Sequence, residues 1–175
     1  MGTHNALLRQ GPRLFLEIIA IDPEAPEPKR PRWFALDDVA LQSELMEMPR
    51  LIHWVARTSD IERALDASQV DLGVVHARSR GAYRWRITIP DNGTLPARGV
   101  LPTLIQWDVA EHPADTLPEE HVSLLELAAT HPDPACIRGA LAAWELDDAL
   151  RVSYDRDTRL AAMLRTRKGV VTLAS

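Results

Sequence analysis

Apolar and polar residues alternate along several short segments of this chain, and the alternation predicts strands. In residues 83–89, apolar Tyr, Trp and Ile alternate with Arg, Arg and Thr, which is the period of a half-buried strand. Gln10-Gly11-Pro12 predicts the turn of an opening β-hairpin between residues 4–8 and 13–21. Further strands are predicted at residues 50–58, 74–81, 100–109, 122–130, 150–156 and 159–175, the last with a turn at Lys168-Gly169.

Helices are predicted where a capping residue or a proline precedes an apolar segment. The expected spans are 35–48, 60–68 and 134–146, with Asp37 or Asp38, Ser59 and Pro134 at their respective starts. Four prolines within residues 23–31 prevent regular structure there and predict a surface loop. The order β-α-β-β-β is therefore expected across residues 50–109 and, nearly unchanged, again toward the C-terminus.

This internal repeat predicts one structural domain built from three modules. Residues 1–48 form an incomplete first module of a hairpin and a proline-rich loop, residues 49–110 a complete βαβββ module, and residues 111–175 a C-terminal βαβ-type module. The opening hairpin looks like the end of a unit whose first strand and helix are absent, so that either the start codon is placed too late or the protein lacks them. In the second case an exposed sheet edge needs covering, and we expect a homodimer.

Composition and charge narrow the class of protein. The chain has 20 basic and 25 acidic residues, a formal charge of −5 and no basic block, which gives little attraction to nucleic acid. No apolar run approaches the roughly 20 residues of a membrane span, and no secretory signal is visible. The single cysteine, Cys136, cannot form an internal disulfide. We therefore expect a cytoplasmic protein with neither a membrane nor a nucleic-acid partner.

The segment HWVARTSDIERA, residues 53–64, resembles the first strand and helix start of the vicinal oxygen chelate superfamily, which includes glyoxalase and extradiol dioxygenases. GTHNALL, RLFLEIIAIDP, RPRWFALD, LPTLIQWD and THPDP are similar to its glyoxalase-like branch, so the resemblance covers essentially the whole chain. It implies an α+β fold in which βαβββ modules curl their mixed sheets around an open cleft.

The resemblance also implies a divalent metal ion held by the first and last strands of two modules. His53 matches the first-strand position of the complete module, Gln106 lies near its last-strand position, and Glu17 matches the last-strand carboxylate of the preceding module. His4 is the best substitute for the fourth ligand. Such a mixed nitrogen and oxygen set suits Zn, Ni, Mn or Fe(II), with Glu17 and His53 also available for acid–base catalysis.

Each of these residues has a structural alternative. Glu17 stands in an apolar strand, so it faces either a polar cleft or an arginine. His53 is a ligand, an acid–base group or a hydrogen-bonded core histidine, and Gln106 is a ligand or satisfies a neighbouring backbone group. Arg57 shares a strand face with His53 and either binds a substrate carboxylate or neutralises Glu17.

Aromatic and arginine side chains complete the predicted ligand site. Trp54 and Trp107 offer large surfaces for an organic ligand, while Arg84 either lines the cleft or lies on the solvated face of its strand. His112 is expected to be solvated in a polar loop. Two functions remain open: a glyoxalase-like protein that binds a small metabolite between modules and performs metal-assisted lyase, isomerase or dioxygenase chemistry, or a non-catalytic protein that binds or sequesters a small molecule without metal.

Overall fold

The computed structural model describes residues 1–175 as a mixture of ten strands and four short helices, which confirms the predicted α+β class. The strands are β1 (Thr3–Gly11), β2 (Leu14–Ile21), β3 (Val55–Arg57), β4 (Val74–Arg80), β5 (Tyr83–Ile89), β6 (Thr103–Trp107), β7 (Ser123–His131), β8 (Arg151–Tyr154), β9 (Arg159–Thr166) and β10 (Gly169–Ala174). The helices are α1 (Val39–Glu47), α2 (Ile61–Asp66), α3 (Pro113–Thr116) and α4 (Pro134–Ala143). None of them combines the length and the apolar character that crossing a lipid bilayer requires.

The opening strands β1 and β2 pair antiparallel in a two-stranded sheet of their own, as the turn signal predicted. Leu7 pairs with Glu17, so Asn5, Leu7 and Glu17 point to the same face of the hairpin. His4 pairs with Ala20 and points to the opposite, exposed face. The Asn5 face lies against the rest of the protein.

The two β-α-β-β-β units form separate four-stranded sheets with different strand orders. In the central sheet the order is β3-β6-β5-β4, and the first strand of the unit runs parallel to its last. In the C-terminal sheet the order is β10-β9-β7-β8, and the first strand lies in the interior, between β9 and β8. The repeat in the sequence therefore extends to element order but not to the pairing of strands.

One hydrophobic core joins the two units. It contains 15 buried residues, and the helices α2 and α4 both contribute to it, for example through Ile61, Ile137 and Leu141. Burial of side chains of this size contributes about 1.5–3 kcal/mol each relative to exposure. Because both units supply this core, neither sheet packs independently of the other.

Side-chain hydrogen bonds identify the N-cap residues of α1 and α2. Asp38 accepts a hydrogen bond from the backbone N–H of Leu41 at 2.9 Å, which confirms one of the two predicted caps of α1. For α2 the prediction of Ser59 was wrong. Asp60 is the N-cap, because its carboxylate reaches the N–H of Arg63 at 3.1 Å.

The strand predicted over residues 50–58 covers only the three residues of β3. The segment before β3 is held by hydrogen bonds of the His53 side chain. Its Nδ1 donates to the Gly99 carbonyl at 3.3 Å, and its Nε2 lies 3.1 Å from the N–H and 2.9 Å from the hydroxyl of Thr103. Both ring nitrogens are therefore occupied. Burial lowers the pKa of His53 to about 4, so the ring is neutral near pH 7.

The backbone before β6 fits closely against the same segment. The Trp54 indole N–H donates to the Val100 carbonyl at 2.7 Å. Gly99 has a φ of +93°, and a Cβ at this position would lie 2.4 Å from the Ile52 carbonyl oxygen. Only glycine accommodates this approach, and the contact brings β3 and β6 together as neighbours.

Replacement of Gln10 by Met should stabilise the protein. The Gln10 side chain is 6% exposed, and neither its amide nitrogen nor its oxygen has a hydrogen-bond partner. Met has a similar volume without the unsatisfied polar atoms, so we expect the free energy of unfolding to rise by about 1 kcal/mol in urea denaturation. Gln42→Met is the matched control and should destabilise, because the Gln42 amide donates to the Leu36 carbonyl at 2.8 Å. A loss of stability in Gln10→Met would contradict this account.

Burial of neutral His53 should make the folded state less stable in acid. Its pKa is lowered from 6.5 to about 4 on folding, so below pH 6.5 the unfolded chain takes up a proton that the native state does not. Between about pH 7.5 and pH 5 we expect the wild type to lose about 2 kcal/mol more than His53→Gln, measured as the free energy of unfolding. Parallel pH profiles of the two proteins would show that His53 titrates normally in the folded state.

Candidate functional site

The side-chain donors predicted for a metal ion are largely engaged elsewhere. Neither nitrogen of His53 has a free lone pair, since Nδ1 carries the proton shared with Gly99 and Nε2 accepts from Thr103. The Gln106 Oε1 accepts from the Ile61 N–H at 2.8 Å and thereby satisfies the first turn of α2. These contacts match the structural alternatives given above: His53 is a hydrogen-bonded core histidine, and Gln106 satisfies a neighbouring backbone group.

Glu17 lies on the inward face of the hairpin and is bound by an amide. Asn5 donates to the Glu17 carboxylate, and the Asn5 oxygen in turn accepts from Arg80 Nη1 at 2.7 Å. The half-buried carboxylate is thus linked to an arginine of β4 through Asn5. His4 is not available as a neighbour of Glu17, because it points away on the other face of β1.

These placements do not assemble the metal centre that the resemblance implied. No group of three or more His, Cys, Asp or Glu side chains is arranged to hold a metal ion. His53 and Gln106 are committed to backbone groups, and His4 and Glu17 point to opposite faces of the hairpin. The residues present therefore do not fit a resident divalent ion.

A cavity of about 280 Å³ opens where β3 and β6 end. Arg57 and Trp107 line it from these two strands, and Arg13 reaches it from the tip of the hairpin. We call this cavity the Arg57 pocket; the residues that define it are Arg13, Arg57, Gln106, Trp107 and His112. The structure thus brings together three of the predicted site residues, Arg57, Gln106 and Trp107.

The Arg57 pocket has an excess of positive charge. Neither Arg13 nor Arg57 forms an ion pair with a carboxylate, and the Arg13 guanidinium donates only to the Ala110 carbonyl, at 3.3 Å. Glu111 is the one acidic residue in the lining. Guanidinium groups that lack carboxylate partners have hydrogen-bond donors available for a planar anion.

His112 adds a hydrogen-bond donor to this pocket. The buried ring accepts a hydrogen bond at Nδ1 from the Ala114 N–H at 3.2 Å, so in the neutral tautomer the proton is on Nε2, which has no protein partner. Burial lowers the pKa of His112, and the charges of Arg13 and Arg57 lower it further while Asp115 raises it. The ring is therefore neutral near pH 7 and offers one N–H.

Trp107 and His112 line the Arg57 pocket and belong to a larger aromatic cluster. The Trp107 ring lies 5.0 Å from His112 and 5.6 Å from Trp85, and Phe15 of the hairpin lies 5.6 Å from His112. This cluster bridges β2, the central sheet and α3. Trp107 gives the pocket an apolar surface beside the guanidinium groups.

Two residues predicted for ligand binding lie outside the pocket. Trp54 packs against the hydrophobic core and donates to Val100. Arg84 alternates with Trp85 along β5, so it points to the opposite face of the central sheet, where it is exposed and donates to the carbonyls of Gly81 and Tyr83. Of the two alternatives given for Arg84, it is the position on the solvated face of its strand that is observed.

The expectation that His112 is solvated was wrong, and a local signal accounts for the difference. His112 is the N-cap of α3, with Pro113 at the first helical position, and its backbone N–H donates to the Asp115 carboxylate at 3.2 Å. The sequence HPAD carries this capping box inside a segment whose polarity predicted a loop. The helix that results holds the imidazole in the pocket.

Comparison with known proteins places this architecture in a family. Neither curated proteins nor solved structures gave a significant match to the chain. A family model described as a glyoxalase-like domain matches residues 1–145, which include the hairpin, the whole central sheet and α4. The match covers most of the 175 residues and confirms the resemblance found in the sequence. The chain therefore belongs to the glyoxalase-like domain family of the vicinal oxygen chelate superfamily.

Proposed function

We propose that this protein binds a small organic carboxylate in the Arg57 pocket and needs no metal ion to do so. The observation that carries the proposal is the pairing of two arginines that lack carboxylate partners, Arg13 and Arg57, with the free N–H of neutral His112. A carboxylate takes hydrogen bonds from guanidinium groups in two parallel contacts, and these charge-assisted bonds are stronger than neutral ones.

The pocket also has features that suit the organic part of such a ligand. Its volume of about 280 Å³ lies near the lower limit of small-molecule sites, which favours a ligand of one ring or a short chain. Trp107 offers a flat apolar surface next to the arginines, and a planar ligand gains both contacts at once. Binding of a metabolite by a glyoxalase-like domain is the coarser function that the sequence predicted.

Of the two functions left open by the sequence, the geometry favours binding without metal. The donor atoms of His53 and Gln106 already bind backbone groups, so loading them with an ion would break the contacts that hold β3 and α2. Metal-assisted lyase, isomerase or dioxygenase chemistry stays a prediction, as do the homodimer and the cytoplasmic location.

Titration with benzoate tests the proposal. Benzoate should quench the fluorescence of Trp107 and raise the pKa of His112, followed by histidine NMR, because the bound carboxylate favours the imidazolium. Arg57→Gln should weaken binding by about tenfold, the loss expected for one charge-assisted contact. Arg63→Gln is the matched control, since this exposed arginine lies on α2 and contacts Glu145 at 3.3 Å. Equal affinity of Arg57→Gln and wild type would refute the site.

The role of metal is tested with the same protein. Chelator treatment should leave benzoate binding unchanged, and protein purified without chelator should contain no stoichiometric divalent ion. A stoichiometric ion that is lost in both His53→Ala and Glu17→Ala would overturn the metal-free proposal and favour the metal-assisted alternative. Circular dichroism of both variants establishes that they are folded.

A further inference from the structure

Three basic side chains gather at the β4 edge of the central sheet. His76 and Arg78 share one face of β4, and Arg30 reaches them from the proline-rich loop. Arg30 Nη1 lies 2.9 Å from His76 Nε2, and its Nη2 donates to Asp91 Oδ1 at 2.8 Å. We call Arg30, His76 and Arg78 the Arg78 cluster.

The positive charge of the Arg78 cluster is incompletely neutralised. Arg78 is half-buried and has no carboxylate partner; its guanidinium donates only to the neighbouring Ala77 carbonyl, at 3.0 Å. Asp91 is 80% exposed, so its ion pair with Arg30 is largely screened by water. Burial and the charge of Arg30 lower the pKa of Arg78, because two like charges are held near each other without a full counter-charge.

The loop that carries Arg30 is fixed against the turn after β5. The Ala35 N–H donates to the Gly93 carbonyl at 2.7 Å. Gly93 has a φ of +71°, and a Cβ there would lie 2.1 Å from the Arg32 carbonyl oxygen, so the two backbones are in direct contact. Arg30 is thereby held over β4 by packing of its own segment and not by its side chain alone.

The Arg78 cluster is separate from the Arg57 pocket. In the strand register His76 pairs with Ile87, Ile87 with Ile105, and Ile105 with Arg57. His76 and Arg57 therefore occupy opposite edges of the same sheet face, three strand spacings or roughly 14 Å apart. A ligand small enough to contact one group of arginines does not reach the other.

We propose that the Arg78 cluster is a second anion site, which binds a tetrahedral oxyanion such as phosphate or the phosphoryl group of a monoester. Its donors come from two elements, Arg30 from the loop and His76 and Arg78 from the strand, so they approach an anion from different directions. A tetrahedral oxyanion accepts hydrogen bonds from such a non-planar set. This site is independent of the proposed binding in the Arg57 pocket.

Sulfate titration of the full chain at constant ionic strength tests the second site. We expect saturable binding with perturbed NMR signals of His76, and a loss of affinity of about tenfold in Arg78→Gln. Arg30→Gln should weaken binding as well, although it also removes the ion pair with Asp91. Arg84→Gln, on the opposite face of the sheet, is the matched control and should bind sulfate as the wild type does.

The pH dependence of sulfate binding distinguishes a role of His76 from simple charge attraction. Burial, Arg30 and Arg78 lower the pKa of His76, while Asp91 raises it. Sulfate remains a dianion, so its affinity should rise from about pH 8 to about pH 5.5 as the bound state takes up a proton on His76, in place of the hydrogen bond that His76 accepts from Arg30. In His76→Gln this increase should disappear.

Two phosphate ligands show whether the site recognises the phosphoryl group alone or a phosphate ester. Comparable affinities for inorganic phosphate and glycerol 3-phosphate would mean that the phosphoryl group alone is recognised, whereas tighter binding of the ester would mean that neighbouring residues contact its organic part. Both outcomes support the site. Equal sulfate affinity of wild type and Arg78→Gln would overturn the second site. So would NMR changes on sulfate addition that spread over all surface arginines. Both conclusions hold whatever the result with benzoate.

Discussion

The central sheet depends on the hydrogen bonds of His53, which join the segment before β3 to Gly99 and to Thr103, the first residue of β6. These two strands are parallel neighbours, and no tight turn sets their register, because parallel strands are always connected by a long crossover. The bonds to Thr103 fix the first residue pair, Val55 with Thr103. The same register then sets Arg57 near Trp107 at the other end of the strands, and so builds the Arg57 pocket.

A histidine in this position has two uses that local sequence does not separate. The same neutral imidazole that binds a metal ion also accepts a backbone N–H, and burial favours the neutral form in both cases. Which use applies depends on Gly99 and Thr103, which lie 46 and 50 residues later in the chain. Gln106 presents the same ambiguity, since its partner is the first turn of α2.

Local patterns predicted the elements of this protein better than their pairing. Alternation along β5, the turn of the hairpin and the Asp38 cap are set by residues next to one another, and each was predicted. The different strand orders of the two sheets depend on contacts between distant strands, which similar apolar segments satisfy in more than one way. His112 is an intermediate case: its capping box is local, but its burial follows from Trp107 and Phe15 on two other strands.

The distribution of arginines shows why net charge is a poor guide to anion binding in this protein. Alternation along the strands assigns Arg86 to the helix-facing side of the central sheet, where Asp108 accepts from it at 3.0 Å. Arg57 and Arg78 point to the other side, where no carboxylate pairs with them. Exposed charges more than about 10 Å away are largely screened in 0.1 M salt. The overall charge of −5 therefore has little effect on an anion in direct contact with these guanidinium groups, and strand register decides which face attracts it.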